Sequence, residues 1–126
     1  MKAPAQIYQE ARAAGLAAGH ATRPVPMILG YPSTPLGNDI DPNQKTYFVE
    51  SGICGFAWVK IHPARGAFVK WAKENNLGRI DSDAGGFSIW VYDFGQSMQR
   101  KENYAAAFAK VLCQHGLRAH SESRMD

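Results

Sequence analysis

The apolar and polar positions fall into short blocks separated by turn residues. Positions 46–49 (Thr-Tyr-Phe-Val) and 53–61 are rich in β-branched and aromatic residues and predict two strands, parted by a Ser51-Gly52 turn. Pro63 ends the second. Phe68, Trp71 and Ala72 then recur at helical spacing, which predicts a helix over 64–75 that stops at Leu77-Gly78. A short strand at 79–81, a hairpin turn over 83–86 (Asp-Ala-Gly-Gly) and the strongest strand, 87–94, follow. Ser97 is placed to cap a helix over 98–115, whose Tyr104, Phe108, Val111 and Leu112 fall on one stripe. Gly116 is its expected stop, with Leu117 placed for the hydrophobic contact beyond it. Positions 117–122 predict a last strand, although Arg118, His120, Glu122 and Arg124 equally suit a frayed polar tail.

Ahead of these blocks the pattern weakens. Residues 5–18 are rich in Ala, with Gln, Glu and Arg, behind Pro4 at a tolerated first-turn position, and predict a helix. Its apolar stripe, Ile7, Ala11, Ala14 and Ala18, is thin, so it needs tertiary or partner contacts. Segment 23–45 gathers most of the prolines with Gly30, Gly37, Asn38, Asp39 and Asn43, the composition of a linker. The chain therefore divides into an N-terminal helix and Pro/Gly-rich linker arm, 1–45, and an α+β core domain, 46–126. The core's order of strand, helix, strand, strand, helix, strand predicts a ferredoxin-like (βαββαβ) two-layer sandwich with both helices on one face. Strands 46–49 and 117–122 would compete for the same sheet edge.

Alternation sorts the two central strands into faces. Ala57, Val59 and Ile61, with Phe87, Ile89 and Val91, would meet the helices. The opposite faces hold Phe56, Trp58 and Lys60 on one strand and Ser88, Trp90, Tyr92 and Phe94 on the other. An aromatic sheet face can be a stacking platform for unpaired bases, with Lys60, Arg100 and Lys101 for phosphates. Alternatively it is covered, by the Ala-rich helix and Met27-Ile28-Leu29, by a second copy or by a protein partner, as contiguous apolar patches usually are. Covering is the expected reading, because large aromatics are more often packed than exposed and 87–94 lacks the basic-glycine-aromatic pattern of RNA-recognition modules. Arg100 and Lys101 open a helix against its dipole and are expected on a solvated turn.

Charge and cysteine usage narrow the classes. A net charge of +3 and a pI near 9.0 permit nucleic acid without demanding it. No apolar run reaches the length of a membrane span, and neither a signal peptide nor a transit peptide is supported. Cys54 and Cys113 form no metal or disulfide spacing, which favours a reducing cytoplasm. Cys54 is expected as a small buried residue. Cys113 and His115 lie two apart on a helix and face apart. His62, His120 and Asp39, Asp41, Asp81 and Asp83 match no catalytic or metal motif, and Gly85-Gly86 has no phosphate-loop signature. No cofactor, no metal and no catalytic residue is expected.

At Cys54-Gly55-Phe56-Ala57-Trp58-Val59, at Phe94-Gly95-Gln96-Ser97 with Arg100-Lys101, and at Ser123-Arg124-Met125-Asp126, the chain resembles small proteins of unknown function from tailed bacteriophages and prophages. The likeness extends through Pro24-Val25-Pro26-Met27 and Pro35-Leu36-Gly37-Asn38-Asp39. It implies a viral origin and a host-cell cytoplasmic setting and transfers no site residue. The expectation is a non-enzymatic phage accessory protein acting through protein or self-association contacts on the aromatic face, with single-stranded nucleic-acid binding on that face as the alternative.

Overall fold

The structure is a computed structural model and describes residues 2–29, 47–49 and 52–126. In chain order the elements are α1 (Pro4–Ala21), β1 (Met27–Leu29), β2 (Tyr47–Val49), β3 (Gly55–His62), α2 (Ala67–Glu74), β4 (Arg79–Ile80), β5 (Phe87–Trp90), α3 (Met98–Gln114) and β6 (Arg118–Met125). The fold is α+β: a four-stranded antiparallel sheet, β4-β5-β3-β6, with helices packed on one face. None of the helices among the described residues is long and apolar enough to cross a membrane. The central part of the linker, with Asp39, Asp41 and the glycines beyond Leu29, lies outside the described residues.

The contest for the sheet edge is settled by β6. It pairs with β3 along its full length, from Gly55↔Met125 to His62↔Arg118, so the polar tail is ordered and runs past the expected end at 122. The early strand β2 goes elsewhere and pairs with β1 in a separate two-stranded sheet. β1 lies in the proline-rich segment expected to be linker. The alternating apolar residues of β3 and β5 join the helices in one core as expected: Ala57, Val59, Ile61, Phe87, Ile89, Phe108 and Leu112 are buried together.

Strand β5 is shorter than its sequence suggests. It ends at Trp90, not at 94: Val91 still donates to the Ala57 carbonyl at 3.0 Å, but Tyr92 then turns out to solvent, 88% exposed. Two tertiary contacts override the β-propensity here. Arg12 on α1 grips Asp93 through both guanidinium nitrogens, at 3.1 and 3.4 Å, and donates to the Tyr104 hydroxyl at 2.9 Å. Asp93 and then the Tyr104 hydroxyl hold the Arg12 guanidinium firmly protonated, whereas burial raises the Tyr104 phenol. Phe94 takes a left-handed backbone (φ 70°), which carries its ring away from the sheet face and under α1.

Helix α1 docks on the helical side of the sandwich, chiefly on α3 and also on α2. It does not cover the aromatic face. Its buried stripe is Ile7, Ala11, Gly15 and Gly19, so two glycines replace the alanines anticipated there. The reason is close approach to aromatic rings: a Cβ on Gly15 would lie 2.9 Å from the Tyr104 ring, and one on Gly19 2.3 Å from the Phe94 ring. Phe94 has little freedom to yield, being packed edge-on against His20 at 5.0 Å and Tyr104 at 6.2 Å. Gly19→Leu is therefore expected to lower unfolding free energy by about 1–3 kcal/mol through overpacking, measured by urea denaturation. An unchanged midpoint would show that α1 is not docked through this contact.

Candidate binding face on the sheet

Register places the open face residue by residue, because directly opposed residues share a side of the sheet. One row across the strands is Arg79, Ser88, Lys60 and His120, the next is Trp90, Trp58 and Glu122, and Phe56 opposes Arg124. His62 opposes Arg118 at the far end. The helices α1, α2 and α3 pack on the other side, and Phe56, Trp58 and Trp90 are half-buried.

The three rings form one unit. Trp58 and Trp90 stack with centroids 4.7 Å apart and planes 23° from parallel, and Phe56 meets Trp90 edge-on at 6.0 Å. The Arg124 guanidinium lies 5.5 Å from the Phe56 centroid and 5.8 Å from that of Trp90. Trp58 Nε1 donates to Glu122 at 2.7 Å, and the His120 ring contacts the other Glu122 oxygen at 2.9 Å. His120 first, and Trp58 after it, hold the Glu122 carboxyl below its ordinary range. Beside the tryptophans a groove of about 440 Å³ opens, walled by Arg79, Arg124 and the β4–β5 turn at Asp81–Asp83.

Other expected members of the face are placed differently. Lys60 is 1% exposed, because the β4–β5 turn folds over it; its Nζ donates to Asp81 at 2.6 Å and to the Gly85 carbonyl at 3.0 Å. It is a strut under the turn, not a phosphate contact. Lys101 is buried as well, donating to the Gly55 carbonyl at 3.3 Å and lying 5.5 Å from the Phe56 centroid, so it backs the aromatic unit and does not reach solvent. Arg100 keeps its place at the first turn of α3, where its N–H donates to the Ser97 cap at 3.4 Å. Tyr92 and Phe94 leave the face at the end of β5, one to solvent and one to the helical layer.

Arg79, Arg118, His120, Glu122 and Arg124 join the face instead. For the four on β6 the signal was its two-residue alternation, visible in the sequence and equally compatible with a tail; Arg79 comes from β4. Two carboxylates at this surface are engaged, Glu122 by Trp58 and His120 and Asp81 by Lys60, and Asp83 stands exposed at the rim of the groove. The three arginines make no ion pair among the described residues. The result is an aromatic surface in an electropositive frame, suited to planar rings carrying negative charge.

Among the described residues, the groups weighed for catalysis do not assemble. Cys54 is half-buried beside Ser97, and Cys113 is exposed on α3 with its thiol on the Ala119 carbonyl at 3.2 Å. His115 pairs with Glu10 at 3.1 Å, and His62 stacks on His120 at 5.9 Å. No three His, Cys, Asp or Glu side chains converge among the described residues. No protein-family model, no curated protein and no solved structure matches this chain.

Proposed function

We propose that the protein is a non-enzymatic binder of single-stranded nucleic acid, using the open sheet face as a stacking platform. The observation that carries this reading is the composition of the face. Phe56, Trp58 and Trp90 sit among Arg79, Arg118 and Arg124, and the strands place no aliphatic side chain on that side. Bases stack on aromatic planes with little sequence preference, and guanidinium groups take the phosphates. A self-association or protein interface on this face has less support, since an interface of standard size has an apolar core with a polar rim, and among the described residues the apolar surface here is the three rings with Ile80 at the groove.

The same proposal takes β3-α2-β4-β5-α3-β6 as a ferredoxin-like unit, supported by the order β6-β3-β5-β4 with β3 and β5 central. The phage resemblance adds a host-cytoplasmic setting, in which unpaired strands are available as ligand.

A titration with short single-stranded DNA and RNA, following tryptophan emission, tests it. The expected result is quenching whose log–log salt dependence has a slope of about −2, for roughly three phosphates neutralised. Arg124→Gln is expected to flatten that slope by about 0.7 and to weaken binding alike for all sequences. Unchanged emission together with a dimeric mass by light scattering would overturn the proposal in favour of self-association.

A further inference from the structure

A second concave site lies at the end of β3, away from the tryptophans. There α1, the turn before α2 and the turn after α3 enclose a cleft of about 330 Å³. Its walls are apolar: Ile7 from α1, Ile61 from β3, Phe68 from α2, and Leu117 just before β6. Three cations, Lys2, Arg65 and Arg118, line it together with His115. One carboxylate stands close by, Glu10, and a single oxygen of it already holds Lys2 at 3.0 Å and His115 at 3.1 Å. Arg65 and Arg118 have no acidic partner among the described residues.

An apolar cleft lined also by unneutralised guanidinium groups matches one ligand chemistry. We propose that it binds a small amphipathic anion, an apolar tail seated on Ile7, Ile61 and Phe68 with a carboxylate head on Arg65 and Arg118. A volume at the bottom of the usual range for ligand pockets limits the tail to a short alkyl chain or a single ring. A neutral tail would forgo the charge-assisted hydrogen bonds of the guanidinium groups, and a bare anion would gain nothing from the apolar wall. The proposal does not depend on the nucleic-acid reading, and Arg65 lies off the sheet face, whereas Arg118 borders both sites.

The test is an NMR titration of the full chain with octanoate, kept below micelle-forming concentration, against octanol and inorganic phosphate. Saturable octanoate shifts are expected at Ile7, Ile61 and Leu117, with octanol at least about tenfold weaker and phosphate without saturation. Arg65→Gln is expected to weaken octanoate about tenfold and leave oligonucleotide binding unchanged. Ala67→Phe, on the first turn of α2 at the cleft, is expected to abolish octanoate binding by filling it, with the spectrum of the rest of the chain unchanged. No octanoate binding, equal binding of octanol, an Arg65→Gln chain that binds as well as the wild type, or shifts centred on Trp58 and Trp90 would each overturn the proposal.

Discussion

Trp58→Leu and Trp90→Leu are each expected to weaken oligonucleotide binding by about fivefold to more than a hundredfold, the range that follows from stacking contributions of about 1–3 kcal/mol per base. Leucine keeps most of the apolar packing of a half-buried ring while removing the π-face, so the loss reports stacking more than stability. The two positions differ in one respect. Trp58 Nε1 occupies one Glu122 oxygen while His120 holds the other, and its loss would leave that first oxygen without a donor beside the stacking site, so Trp58→Leu should be the more damaging; Trp58→Phe separates ring from N–H. Because the rings stack at 4.7 Å, the double variant should lose less than the sum of the single losses. Anisotropy of a labelled oligonucleotide measures all four, with Trp71→Phe on α2 as the unaffected control. Single variants that bind within twofold of the wild type would remove the platform from consideration.

What the sequence shows well is what local pattern dictates. β3 and α3 follow directly from alternation and from a helical stripe ending in glycine, and burial of Val59, Ile61, Phe108 and Leu112 confirms both. The expected strand over 87–94 shows where local pattern stops. Val91-Tyr92-Asp93-Phe94 keep strand-forming composition, but the path there is decided by Arg12, 81 residues away from Asp93, and by the space that Gly19 leaves for Phe94. No window on the sequence contains such pairs. The docking of α1 was hidden for a related reason: glycines look like poor helix formers until the rings that need their missing Cβ atoms are in place.

The candidate site divides in the same way. Alternation identifies Phe56, Trp58 and Trp90 as sharing a face, and periodicity alone is enough for that. It also assigns Lys60 to the face correctly while saying nothing about depth. A lysine between two exposed rows is ordinarily solvated, and only the return of the β4–β5 turn over it makes it a buried group. Gly86, at φ 80°, is what lets the turn close so tightly: a Cβ there would lie 2.7 Å from the His62 ring and 2.8 Å from the Lys60 stem.

That buried lysine sets up the second large effect, a loss of stability in Asp81→Ala that exceeds the loss in Lys60→Met. Asp81 accepts Lys60 Nζ at 2.6 Å and also the backbone N–H groups of Asp83 at 3.0 Å and Ala84 at 2.9 Å, so one carboxylate anchors the lysine and shapes the turn. Removing it leaves the lysine buried with only the Gly85 carbonyl, the costly way to break a buried pair, and several degrees of the thermal midpoint should go with it. Lys60→Met removes the charge and keeps the apolar stem, which replaces the pair at small cost. Acid titration gives the sign independently. Lys60, and then the two N–H groups, hold the Asp81 carboxyl down at about 2 against an ordinary 3.8, so its contribution is complete above that ordinary value and is lost as pH falls through about 2. Between those values the wild-type midpoint should fall more steeply than that of Asp81→Ala, the two curves converging in acid. The turn also walls the groove, so Asp81→Ala should weaken oligonucleotide binding where Lys60→Met does not. Scanning calorimetry at neutral pH and across that acid window decides the matter: a Lys60→Met chain as unstable as Asp81→Ala would mean that the buried charge itself holds the sheet together.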